Sequence, residues 1–368
     1  MPGKSEGTEQ STISPNRPST TVSHQFLASL LALTLVGAAL IPAPFIRPEP
    51  SVVAANAPQR ERTLLFVGDV MLSRHVAEAM EARLDWDYPF RKIARTLRAA
   101  DLAFANLECP VSDTGRDLHH LYSFRADPRV IEGLKYAGFL VLSVANNHMD
   151  DWDRPALLDT VRRLRAAGFV PVGAGANVGD AHYPVFVTCP AESHCRSWKV
   201  EVRKSTIEYR NLAAPGELKV AFLAYVDVDP KSAAATFTRP GVAWLDADRV
   251  LADIRFARHL ADLVVVSVHW GVEYAPRPLS RQVELAHEMI DAGADLVVGG
   301  HPHVVQPLEE YHGRWIAYSL GNFVFDQQWP VTHHGLMLKV TTSGRRITRV
   351  TPVPITIDAM QAAVASGE

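Results

Sequence analysis

The segment "GGHPHVVQPLE", Gly299 to Glu309, sets His301 and His303 two residues apart, directly after the apolar run "ADLVV". Histidines are awkward in a core but natural at the mouth of a sheet, where side chains can converge on a metal ion. Other apolar runs end in the same way. "GDVM" carries Asp69, "NLE" carries Asn106 and Glu108, and "NNH" carries Asn146, Asn147 and His148, with Asp150 and Asp151 just beyond. "HWGVEY" carries His269 and Glu273, and "SLGNF" carries Asn322. Singly, each has a bland reading. Gly-Asp is a common tight turn, Asn-Asn-His suits a hydrogen-bonded turn, and a histidine before Trp270 suits a satisfied core position. Together, successive strands ending in carboxylates, asparagines or histidines do not fit incidental endings.

Imidazole mixed with carboxylate suits Zn²⁺, Mn²⁺ or Fe ions, whereas Mg²⁺ and Ca²⁺ prefer oxygen alone. An open site on such an ion lowers the pKa of bound water to near 7, which gives a hydroxide nucleophile. Two ions about 3.5–4 Å apart can clamp a phosphoryl group in line. A further histidine off the metal can protonate the leaving oxygen, and His148 is placed for that role.

These residues need strands to carry them and helices to cover the strands. Buried strands are expected at Thr63 to Asp69, Asp101 to Glu108, Phe139 to His148, Lys219 to Asp227, Ala261 to Gly271 and Ala294 to His303, with at least one more in Arg314 to Asp326. Between them, "AEAMEARL", "YPFRKIARTLRAA", "PALLDTVRRLRAAGF" and "RQVELAHEMIDAGA" repeat apolar residues at helical spacing. Glycines in "RAAGF" and "DAGAD" suit helix C-caps. Strand, turn, helix, strand predicts an α/β layered fold with both sheet faces covered. In such folds function collects at the carboxyl ends of strands. An irregular stretch at about 189–216 reads as an insertion with short strands of its own.

The chain has 368 residues, 47% hydrophobic and 21% charged, with a net charge of −3. That balance gives no reason to expect nucleic acid as a partner. Residues 1–25 are rich in Ser, Thr and Pro and read as a disordered tail. Residues 26–46 carry no charge and reach about the ~20 residues a bilayer needs. They predict an N-terminal single-span helix serving as a retained membrane anchor. The alternative is a cleaved export signal, with "ANA" ending at Ala57 as the cleavage site. Residues 47–61 form a linker, 62–358 the folded domain and 359–368 a C-terminal tail. Cys189 and Cys195 flank a polar loop and could bridge outside the cytoplasm. Cys109 reads as a small buried hydrophobe.

"FVGDVML", "DLAFANLECPVS", "FRADP", "VANNHMDD", "VSVHWGVEY", "GADLVVGGHPHVVQPLE" and "IAYSLGNFVFDQ" closely resemble the capsule-synthesis protein CapA family, from about Thr63 to about Leu338. That family is linked to bacterial poly-γ-glutamate synthesis and export, and in turn resembles calcineurin-like metallophosphoesterases. The resemblance implies a four-layer α/β/β/α sandwich of the metallophosphatase type. It also implies a single-pass bacterial membrane protein with its domain outside the cytoplasm, and one or two divalent ions (Mn, Zn or Fe). By motif, one ion would take Glu108, Asn147, His269 and His301, and the other Asp69, Glu108 and His303. His148 would be the catalytic acid. Asn106, Asn146, Asp151, Glu273, Asn322 and Arg125 would support the ligands or hold substrate, with Asp326, Arg277 and Arg281 as further candidates. The pattern departs at Met71, where metallophosphoesterases usually have a histidine ligand, and at Glu108, usually aspartate. Asp153 stands where the capsule family usually has glycine, and Gly300 where relatives often carry histidine. Two functions follow: a metal-dependent phosphoester hydrolase, or a non-catalytic accessory subunit that binds or exports an anionic polymer beside synthase or export subunits.

Overall fold

The computed structural model describes residues 60–191, 199–201 and 216–365. The tail, the expected span at 26–46, nearly all of the linker and Cys195 lie outside the described residues. Among the described residues no helix is long and apolar enough to cross a membrane.

The first sheet takes β1 (Glu61–Val70), β2 (Leu102–Leu107), β3 (Val141–Ser143) and β4 (Val170–Val172). It also takes β14 (Asn322–Val324), β15 (His334–Ser343), β16 (Arg346–Asp358) and β17 (Gln361–Val364) from the far end of the chain. Its order is β17-β16-β15-β1-β2-β3-β4, with β14 also paired to β1. The second sheet takes β6 (Val185–Cys189), β7 (Lys199–Glu201), β8 (Leu218–Val226), β10 (Leu263–His269), β11 (Leu296–Gly300), β12 (Leu308–Tyr311) and β13 (Arg314–Ala317). Its order is β12-β13-β11-β10-β8-β6-β7. A short ribbon joins β5 (Ala174–Gly175) to β9 (Gly241–Val242).

Side chains alternate between the faces of a strand, and here each face has its own core. Leu64 and Phe66 of β1, Leu102 and Phe104 of β2, Val220 and Phe222 of β8, and Leu263 and Val265 of β10 fill one core between the sheets. Their neighbours Leu65, Val67, Ala103 and Ala105 pack against α1 (Arg74–Arg83), α2 (Ala94–Ala99), α3 (Val130–Ala137) and α4 (Asp153–Ala166). On the other sheet, Leu223, Val264, Val266 and Val268 pack against α6 (Ala247–Arg258) and α7 (Ser280–Ala292), near the single-turn α5 (Val178–Ala181). Helices therefore cover both outer faces, which is why the strands are apolar throughout.

The structure corrects several expected boundaries. The run from Phe139 to His148 is strand only at Val141–Ser143. Beyond it the chain turns, because the Asn146 amide donates to the Leu107 carbonyl at 2.9 Å and Asn146 Oδ1 accepts from the His148 N–H at 3.2 Å. Arg314 to Asp326 holds two strands in different sheets, β13 parallel to β11 and β14 parallel to β1. The chain crosses between the sheets at residues 318–321, where Gly321 takes φ +65°. This crossing lies so close to β1 that a Cβ on Gly68 would sit 1.8 Å from the Gly321 carbonyl oxygen. Residues 361–364, expected as tail, pair with β16 as an edge strand.

Phe104 lies at the centre of the inter-sheet core, stacked on Phe222 at 6.0 Å and tilted against Phe66 at 5.6 Å. Phe104→Ala is expected to lower the unfolding free energy by about 3–5 kcal/mol. Phe237→Ala, at a position 89% exposed, should change it by less than about 0.5 kcal/mol. Urea denaturation of both variants checks the contrast.

Candidate metal centre

The site forms at the rim where both sheets present carboxyl ends of parallel strands. Strict alternation along β1 would send Asp69 to the helix side. The register with β2 slips there, from Phe66 opposite Phe104 to Asp69 opposite Asn106. One extra residue on β1 makes a bulge that re-aims the following side chain, and Asp69 turns to face the second sheet. Asn106 keeps the parity of Phe104, and His269 that of Val265, so neither needs such a device. Asn322 lies level with Asp69 on β14, and Gly300 level with His269 on β11. A Cβ at Gly300 would stand 2.6 Å from Asp69 Oδ1, so a side chain at that position cannot coexist with this placement of Asp69.

The floor is a buried network. The Asn106 amide donates to Asp69 Oδ1 at 2.8 Å and to Glu108 Oε2 at 3.2 Å, and lies 3.2 Å from His269 Nδ1. Asn146 donates in turn to Asn106 Oδ1 at 3.1 Å. His269 Nε2 lies 2.9 Å from Asn147 Oδ1. His303 gives its Nδ1–H to Asn322 Oδ1 at 2.9 Å, which leaves Nε2 facing Glu108 Oε1 at 3.6 Å. His301 joins through its backbone N–H, 3.2 Å from Asp69 Oδ2. Among the described residues, potential ligand atoms fall into two groups, each within 4.8 Å: Asp69, Glu108 and His269, and Glu273, His301 and His303.

The donors fit a divalent ion. Glu108 Oε1 and His301 Nδ1 are buried without a hydrogen-bond partner, and buried polar atoms are seldom left so. Burial holds His269 down to about 3 and His301 well below the ordinary imidazole range, so both rings are neutral and offer a lone pair. Burial, then the nearby Asp69 carboxylate, pushes Glu108 well above the usual range. Burial opposes ionisation of Asp69 too, but the His303 Nδ1–H, shared with Asn322 and 3.5 Å from Asp69 Oδ2, together with the neighbouring His269 and the Asn106 amide, holds it down to about 2. Without a cation the pair thus keeps one charge on Asp69 and a proton on Glu108. A bound cation inverts that preference.

His148 stands beside the floor, its Nε2 3.9 Å from Glu108 Oε1. Its Nδ1–H donates to Asp151 Oδ2 at 2.8 Å, and Phe124 stacks on its ring at 3.9 Å. Asp151 also accepts from the Phe124 N–H at 2.7 Å and faces His120 Nδ1 at 2.9 Å. His119 and His120 read from the sequence as loop histidines, more often structural than functional, and the only cue to Phe124 is the motif "FRADP". Arg125 is drawn away over Trp152, 3.5 Å from the ring centroid. Arg281 pairs with Asp227 at 2.6 Å, and Arg277 is exposed. His119 is exposed as well. Asn322 hydrogen-bonds the candidate ligand His303. Asp326 does not, because it accepts from Arg74 Nε at 3.1 Å and from the His75 N–H at 3.2 Å. Met71 is buried, and its sulfur accepts from the Ser73 N–H at 3.1 Å and hydroxyl at 3.2 Å.

The backbone at this rim is strained. His301 has φ +92°, His303 +57°, Tyr274 +61° and Asp153 +64°. Such conformations cost of order 1–3 kcal/mol each and persist where the surroundings over-determine them. The value at Asp153 explains why glycine suits that position.

The family model of the bacterial capsule synthesis protein PGA_cap matches residues 63–327. A capsule biosynthesis protein CapA of Bacillus anthracis is 34% identical over 340 residues, which cover 88% of this chain and 75% of the relative. A PGA biosynthesis protein CapA of Bacillus subtilis (strain 168) is 34% identical over 312 residues, 80% of this chain and 74% of the relative. A Mycobacterium tuberculosis protein named "probable polyglutamine synthesis accessory protein" is 30% identical over 272 residues, 71% of this chain and 66% of the relative.

The raised Glu108 sets a pH dependence. In metal-free protein the native state holds this proton more tightly than the unfolded chain, so stability falls as pH rises above the ordinary glutamate value of 4.5. Glu108→Gln removes the titrating group and is expected to flatten this fall and raise the melting temperature of metal-free protein at neutral pH. Mn²⁺ at about 100 times its Kd should stabilise the wild type by about 2.7 kcal/mol and the variant far less. Thermal melts against pH, with and without Mn²⁺, check both signs.

Proposed function

The chain belongs to the family of the bacterial capsule synthesis protein PGA_cap, and on that premise we propose that it serves poly-γ-glutamate capsule synthesis or export through a divalent-metal centre that cleaves phosphoesters. The observation that carries the metal reading is the convergence of Asp69, Glu108, His269, His301 and His303 at one buried rim with two unpartnered ligand atoms. The layering of helices outside two stacked sheets supports a sandwich of the metallophosphatase type. Glu108, Asn147, His269 and His301 would hold one ion, and Asp69 and His303 would share Glu108 in holding another. Mn²⁺, Zn²⁺ or an Fe ion suits such mixed nitrogen and oxygen donors. When bound, the metal supplies Lewis acidity and an activated water.

The chain's own residues supply the rest. The Asp151 carboxylate fixes the His148 ring with its proton on Nδ1 and Nε2 toward the floor. Phe124 shields one face of the ring. A protonated Nε2 can then deliver its proton to the leaving oxygen of a phosphoester. The uncharged stretch at 26–46 supports a single-span anchor with the domain outside the cytoplasm, and release after Ala57 is the other outcome. Names of relatives that refer to synthesis support synthase or export subunits as partners.

A second reading has its own support. Met71 stands where a histidine ligand would, with its sulfur held by Ser73, and the mycobacterial relative is named as an accessory protein. On that reading the domain binds or exports an anionic polymer without turnover.

Purified full-length chain should retain Mn, Zn or Fe and hydrolyse p-nitrophenyl phosphate. His148→Ala should lower kcat by about 10²–10⁴ with metal content unchanged, because His148 is not a ligand. Absence of turnover with any of these metals, joined to an undiminished capsule in cells carrying His148→Ala, would leave the accessory reading in its place.

A further inference from the structure

We infer that the Glu273 carboxylate, with His301 and His303, holds a divalent ion at the mouth of the site. This rests on the metal-centre reading above and changes how the ligands are divided. The sequence placed His301 and His303 on separate ions and Glu273 outside the ligand set. The structure brings one potential ligand atom from each of the three within 4.8 Å of the others. Three ligands each about 2.1 Å from one tetrahedral ion lie about 3.4 Å apart, so a closure of about 1.4 Å or less between each pair would bring them onto one ion.

Glu273 is exposed but not loosely held. It sits in the turn after β10, where Gly271 has φ +97° and Tyr274 +61°. The Tyr274 N–H donates to the Pro302 carbonyl at 2.8 Å, between the two histidines. Gln306 Nε2 donates to the Ala275 carbonyl at 2.8 Å, and the Tyr274 ring stacks on Trp329 at 5.2 Å. After Glu273 the turn is therefore pinned to Pro302, Gln306 and Trp329, and before it the Trp270 N–H donates to the Gly300 carbonyl at 3.2 Å.

Each partner has a nitrogen to give. His303 Nδ1 is occupied by Asn322, so Nε2 is the ligand atom. His301 Nδ1 is buried without a partner. The Met71 sulfur is engaged by Ser73, and a thioether suits hard divalent ions poorly. Two histidines and one carboxylate form a ligand set that leaves a coordination position open, and the exposure of Glu273 places that opening toward solvent. The ion held here is thus the accessible one, while Asp69, Glu108 and His269 are buried.

The test is Mn²⁺ titration of chelator-stripped full-length chain, followed by the resonance of free Mn²⁺ and by metal analysis after desalting. Wild type should show a tighter and a weaker site. Glu273→Gln should weaken the second at least tenfold and leave the first unchanged, and Glu273→His, which restores a nitrogen ligand, should recover part of the loss. Two sites with wild-type constants in Glu273→Gln would overturn this inference alone. Wild-type chain that binds no Mn²⁺ would overturn the metal-centre reading and this inference with it. Glu273 is on the surface, so equal melting temperatures of the metal-free proteins confirm that the comparison is between folded chains.

Discussion

Two carboxylates, Asp69 and Glu108, are wholly buried at the junction of two sheets and bridged by one amide, that of Asn106. Like charges so placed cannot both ionise without compensation, and a buried charge without a partner is costly. The fold supplies neutral imidazoles and an amide around them, but no buried arginine or lysine side chain hydrogen-bonds either carboxylate among the described residues. The rim is therefore unfavourable on its own terms, and a cation held there would offset that cost. Sites of this kind are where proteins depart from local consistency.

The surrounding architecture can be read as the means of holding that arrangement. A bulge on β1 turns Asp69 toward the second sheet. The crossing from β13 to β14 brings Asn322 level with Asp69 and lets the Asp69 N–H bond the Gly321 carbonyl at 3.0 Å. Both histidines of His-Pro-His adopt left-handed backbone, which neither would choose in an unconstrained turn. Their neighbours hold them there: Asn322 on His303, Asp69 on the His301 N–H, and the Tyr274 N–H on Pro302. Phe66 and Phe104, on the strands that carry Asp69 and Asn106, pack with Phe222 in the core between the sheets.

Much of this was legible in the sequence because the signals are local. Apolar runs gave the strands, and the polar residues after them gave Asp69, Asn106, Glu108, Asn147, His269, His301 and His303, all of which the fold brings to one rim. What was not legible depends on register and on contacts between distant segments. Alternation alone would misplace Asp69, because a bulge leaves no mark on composition. The apolar run Phe139 to His148 looks like a strand throughout, yet its last residues are turned aside by hydrogen bonds to β2. Nothing near Glu273 announces that its turn is fastened to Pro302, nor does the sequence around Met71 show that Ser73 takes its sulfur. Arg125 looked like a residue for an anion but spends its charge on the Trp152 ring.

The buried floor of the candidate site and His148 are mechanically one unit. Asn147 and His148 are consecutive, so the residue that contacts His269 Nε2 and the residue whose Nε2 faces Glu108 share one short segment. Asp151 fastens that segment to the loop that carries His120 and Phe124. Arg74 lies over Phe124 at 4.6 Å and is itself tied to Asp326, just beyond β14. The chain of contacts therefore returns to the strand that sets Asn322 and, through it, His303. A movement of the outer loop cannot shift His148 without disturbing the Asn147 contact, and a change at the floor is felt at the donor. Such coupling is needed where a proton must arrive at a leaving oxygen held by other groups, since a misplacement of about 1 Å can cost a hundredfold in rate. A protein that only grips a polymer has no use for that alignment, so the presence of the whole circuit beside Met71 is the physical support for the proposal of chemistry, rather than binding alone, at this rim.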